Sequence, residues 1–142
     1  MTKKNSKKKK YIDVYSTIYE VDIVVANEAV TLKDLKEKYT YSDGIELDDA
    51  LIDGIACTCT CQDKTTGRCV VLTKFNHYST VKGINKNLDL LNTAAHEATH
   101  IVLDIYSFID QPVNNTGSGS MEHMAYFVGW VTEKVYETWT KK

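Results

Sequence analysis

A chain of 142 residues has room for one domain and no second sizeable core. Its composition, 43% hydrophobic and 25% charged with seven glycines and one proline, is globular and excludes a collagen-like, mucin-like or wholly disordered chain. The net charge of −2 hides an asymmetry: Lys3, Lys4, Lys7, Lys8, Lys9 and Lys10 give the first ten positions +6, while eleven basic against nineteen acidic residues leave the rest at −8.

Residues 1–10 therefore read as a basic, disordered arm and residues 11–142 as the domain. The arm is a solvated tail or a weak electrostatic contact for nucleic acid or an acidic surface; no aromatic residue is interleaved in it to stack on bases. No apolar run approaches the roughly 18–20 residues of a membrane span, and Ala125–Val131 is the longest stretch. Asp13, Glu20 and Asp22 interrupt any apolar segment behind the lysines, so neither a secretory signal nor a membrane partner is expected. A soluble protein in a reducing, cytoplasmic setting is the expectation.

In chain order, Tyr19, Val21, Ile23 and Val25 alternate within Tyr15–Ala26 and predict a half-buried strand. Thr31 before Leu32, Asp34, Leu35 and Tyr39 predicts a short amphipathic helix with a capping box. Ser42–Gly54 is acidic and turns the chain. Ile55–Cys61 and Arg68–Phe75 form a hairpin with Gly67 near its end. His77–Asn87 is a loop, and Asn87 is a plausible cap for a long helix whose apolar stripe runs through Leu91, Ala94, Ala95, Ala98, Val102 and Ile105. Gln111–Gly119 is a loop with the only proline, and Ser120 caps a final helix. The order predicts an α+β domain: a small, mainly antiparallel sheet with a hairpin, packed on a long helix and a C-terminal helix.

His96-Glu97-Ala98-Thr99-His100 lies inside the strongest helical pattern. Positions i and i+4 share one helix face, so both imidazoles can reach a common Zn²⁺. Glu97 emerges about 100° round the helix, where it can take a proton from a zinc-activated water. A catalytic zinc usually has three protein ligands. Asp104 shares the face but lies about 12 Å along the axis from His96. A ligand six residues beyond His100 is absent, because Tyr106 stands there. The start of the last helix offers Glu122 first and His123 second. Glu122 lies on a Glu122–Ala125–Gly129 ridge that permits close helix approach.

The sequence H96-E97-A98-T99-H100 followed by E122-H123-M124-A125-Y126 resembles the zincin-fold metallopeptidases of the gluzincin type. Over Tyr15–Tyr136 it looks most like the small zincin-like proteins of tailed bacteriophages. The resemblance implies a minimal zincin-like fold, His96, His100 and Glu122 as zinc ligands, Glu97 as general base, and peptide-bond hydrolysis of a peptide or protein substrate. The substrate would lie extended along the sheet edge nearest the active-site helix. No NExxxSD pattern follows, so the transition-state stabiliser falls to His123 or Tyr126 by position, with Tyr106 a weaker choice. The rival reading is a structural zincin-fold subunit of a virion, with virion or homo-oligomer contacts, in host cytoplasm or particle, and zinc retained or vestigial. Asp104 and Asp110 are solvated flank residues or outer acceptors for a ligand histidine. Cys57, Cys59 and Cys61 alternate on one strand face and Cys69 returns on its partner; without a C-x₂₋₄-C knuckle, all four are expected as buried free thiols.

Overall fold

The computed structural model describes residues 6–113 and 118–142, the latter with side chains from Met121 onward. Its elements are β1 (Ile12–Tyr15), β2 (Asp22–Ala26), α1 (Leu32–Lys36), β3 (Tyr39–Tyr41), a 3₁₀ turn (Asp49–Leu51), β4 (Ala56–Asp63), β5 (Cys69–Phe75), α2 (Lys86–Phe108) and α3 (Ser118–Thr140). The α+β class holds. Five strands run in the order β1-β2-β5-β4-β3, antiparallel at every pairing except β2 with β5.

The single strand expected over Tyr15–Ala26 is two. Glu20 adopts φ 59°, a left-handed conformation that turns the chain between β1 and β2. Because β2 is interior to the sheet, both of its faces are buried rather than one: Val21, Ile23 and Val25 meet the helices while Val24 and Ala26 meet the opposite layer. The hairpin is as expected, with Gly67 at φ 72° in its turn.

One sheet face carries both long helices, α2 over β4 and β5, and α3 over β2 and β1. Ala94, Ala98, Ile101, Val102 and Ile105 of α2 interlock there with Val131, Val135 and Trp139 of α3. The other face is closed by Leu35 of α1 together with Val30, Tyr39, Leu47 and Leu51. Helix α1 starts on the expected capping box, Thr31 with Asp34. The Thr31 backbone N–H, with Lys10 beside it, holds the Asp34 carboxyl well below the usual carboxylate range. The cap of α2 is Asn85 rather than Asn87, its side chain accepting from the N–H groups of Asn87 and Leu88. Ser120, the expected cap of the last helix, falls inside α3 and its side chain lies outside the described residues.

The basic segment is anchored where it is described. Asn27 Nδ2 donates to the Lys9 carbonyl (2.8 Å), Tyr11 N–H donates to Asn27 Oδ1 (3.2 Å), and Lys10 pairs with Asp34 (2.9 Å). The buried Asn27 amide extends the β1–β2 pairing outward to this segment. Residues 1–5 lie outside the described part. Among the described residues no helix is long and apolar enough to cross a membrane.

Candidate metal centre

Helix α2 delivers His96 and His100 one turn apart on its exposed face, with ring centroids 4.8 Å apart and planes at 71°. Their Nε2 atoms are 3.2 Å apart. A tetrahedral zinc with Zn–N near 2.0–2.1 Å sets two ligand nitrogens about 3.3 Å apart, so the pair has the span of a chelate. The same approach has the geometry of an N–H···N hydrogen bond between the two rings.

Glu97 turns the other way, into the space between α2 and β4, and is only 5% exposed. Its Oε2 accepts from the Thr58 hydroxyl at 2.5 Å, and Thr58 Oγ1 is 2.9 Å from the hydroxyl of buried Thr73 on β5. Each hydroxyl has one proton, so with Thr58 donating to the carboxylate, Thr73 donates to Thr58. The relay satisfies a carboxylate that burial would otherwise penalise. Thr58 and Thr73 are functional candidates that sequence reasoning missed. The only signal was that period two puts Thr58 and Thr60 on the strand face opposite the cysteines.

A depression of about 310 Å³ opens beside the motif, lined by Ile55, Ala56, Asn92, Thr93, His96 and Glu97. Among the described residues, no strand pairs with the outer edge of β4 here. Strand β3 pairs only with Cys61–Asp63, and Ser42 N–H adds one bond to the Thr60 carbonyl (3.2 Å). Ala56 and Thr58 share the register of Thr60, so their backbone groups face the same uncovered side.

The remaining expected site residues are elsewhere. Tyr106 marks the flank of α2 that faces α3, about 80–120° round the helix from the two histidines. Its ring stacks on His123 at 6.4 Å and 13°. His123 Nε2 is hydrogen bonded to the Tyr19 hydroxyl at 2.5 Å, and Tyr126 is 73% exposed beside the Ile18–Phe127–Trp130 groove. The start of α3 thus belongs to an aromatic cluster with β1–β2, not to the histidine pair. Glu122 is exposed on α3, and among the described residues no third His, Cys, Asp or Glu joins His96 and His100. Asp104 is half-buried; burial raises its carboxyl above the ordinary range, and the neighbouring His100 partly offsets this. Asp110, at φ 54°, is an exposed residue just past the end of α2.

All four cysteines are free, as expected; Cys61 is fully buried and Cys57, Cys59 and Cys69 are half-buried. Cys59 and Cys61 lean together to an Sγ–Sγ distance of 3.4 Å, closer than their backbone spacing suggests. That hydrogen bond, with burial, raises the Cys59 thiol, and burial pushes Cys57 up to about 11. Compared with known proteins, the chain matches no family model, no curated protein and no solved structure.

Proposed function

We propose that the protein is a zinc-dependent metallopeptidase in which His96 and His100 hold the metal and Glu97 is the general base. The observation that carries this reading is the convergence of the two Nε2 atoms to chelating distance beside a buried carboxylate and an open strand edge. When bound, zinc supplies a Lewis acid and lowers the pKa of water toward neutrality. Glu97, with Oε2 engaged by Thr58, keeps Oε1 to take a proton from the attacking water and pass it to the leaving amine as the C–N bond breaks. An extended peptide would add to the outer edge of β4 at Ala56–Thr58, which brings its carbonyls past the mouth of the depression lined by His96 and Glu97.

Glu122, at the start of the last helix, remains the proposed third ligand on its sequence position and on the resemblance. On this geometry the histidine pair carries the affinity, so Glu122→Gln should weaken zinc far less than His96→Ala. The rival reading, a structural subunit that keeps zinc without turnover, draws support from the engagement of Glu97 by Thr58. Glu97→Gln separates the two. Zinc content should stay at the wild-type level while hydrolysis of a quenched peptide library falls at least a hundredfold. Chelator-insensitive cleavage, or equal cleavage by the variant, would refute the peptidase assignment. Zinc binding with no wild-type cleavage of any library member would favour the structural subunit.

A further inference from the structure

The two ends of the described chain meet, and they are the two most basic segments of it. Trp139, near the end of α3, is locked into the core with its indole N–H donating to the Ala26 carbonyl at 3.1 Å. The last residues are thereby delivered to the place where Asn27 anchors the N-terminal segment. Lys8 Nζ donates to the Trp139 carbonyl (3.2 Å) and the Tyr11 hydroxyl to the Lys142 carbonyl (2.7 Å). Between them runs a groove of about 600 Å³ whose lining includes Lys7, Lys8, Lys9, Lys141 and Lys142 and no acidic side chain. Lys86 sits over the ring of Tyr78, another lining residue, at 5.3 Å.

Acidic side chains reach two of these lysines from outside the groove. Glu28 pairs with Lys8, and Asp13 pairs with Lys141 at 2.6 Å. Among the described residues Lys7, Lys9 and Lys142 have no such partner. This concentration stands on a domain whose residues 11–142 carry −8, so the charge is segregated rather than mixed.

We propose that this groove is a binding site for the sugar–phosphate backbone of nucleic acid, formed jointly by Lys7, Lys8 and Lys9 and by Lys141 and Lys142. Flexible ammonium stems are point charges that suit phosphates in any sequence context, and the partly exposed ring of Tyr78 in the lining has Lys86 over its face. Its apolar lining residues, Leu90 and Trp139, are 3% and 0% exposed, so nothing projects to enter a bilayer. Charge steering by the groove would act independently of the metal centre.

The test is fluorescence anisotropy of the full chain with a labelled 20-bp duplex DNA from 50 to 200 mM KCl. Three to five phosphate contacts predict affinity falling roughly 40- to 500-fold over that range, with no preference between scrambled sequences. Lys141→Gln/Lys142→Gln, with the N-terminal lysines intact and the melting curve checked, should flatten the log–log salt slope by about 1–2, since each lost contact removes about 0.9. An unchanged slope would overturn the joint groove in favour of the arm acting alone. Lack of measurable DNA binding at 50 mM, or tighter binding to vesicles containing phosphatidylserine than to DNA, would overturn it outright.

Discussion

Glu97 is held by a hydroxyl rather than by a cation, and that choice sets its chemistry. A hydrogen bond donated to a carboxylate favours its ionised form. If Glu97 is the base, Thr58→Val is predicted to lower activity roughly 10- to 100-fold, in line with losing a charged hydrogen bond. Zinc content should not change, which separates loss of positioning from loss of the site. A second residue-scale prediction concerns Lys74, 2% exposed, with Nζ donating to the Asn27 carbonyl at 3.1 Å. Burial pulls its ammonium down to about 8. The folded chain then loses this proton before the unfolded one does, so wild-type stability should rise from pH 8 towards the ordinary lysine range. Relative to Lys74→Met the gain is at most about 1.4 kcal/mol per pH unit. Thermal melts of the two proteins at pH 7 and pH 10 check it; a gap that does not move with pH would count against the buried charge. The HExxH residues were legible because helical spacing alone brings two imidazoles to one face. Thr58 and Thr73 were not, because a strand residue's role depends on which helix lands on it.

At the scale of elements, legibility followed locality. The α1 capping box and the β4–β5 hairpin are written in residues a few positions apart, and both appeared as read. Strands β1 and β3, four and three residues long, were missed: each exists through pairing with a distant partner, and neither has a period long enough to show. The position of Glu122 likewise depends on distant contacts. Spacing placed Glu122 on a helix following the motif helix, but not on which flank that helix would pack, and the stacking of Tyr106 on His123 sets α3 towards β1 and β2. What fixes α3 there is its far end. Trp139 is fully buried and its ring stacks on Phe75 at 5.0 Å and 28°. Trp139→Ala removes that packing and the bond to the Ala26 carbonyl, and should cost about 3–5 kcal/mol by chemical denaturation. A loss under about 1 kcal/mol would mean that α3 is held by other contacts.

Across the whole molecule, the sheet separates two cores and two kinds of surface. Helices α2 and α3 cover one face, and α1 with the 3₁₀ turn covers the other. The histidine pair and the open edge of β4 lie on one flank of α2, while α3 brings the two lysine-bearing termini together on the other side of the helical layer. Composition gave the charge asymmetry but not its location, since residues 7 and 142 meet only through the complete tertiary fold. The proposed chemistry rests on one cation held between the two imidazoles of His96 and His100. Isothermal titration of the apo-protein with zinc, repeated on His96→Ala and His100→Ala, reads this directly. One site per chain that is lost in both variants is the expected result; binding of equal stoichiometry and affinity in either variant would place the metal elsewhere and contradict the assignment.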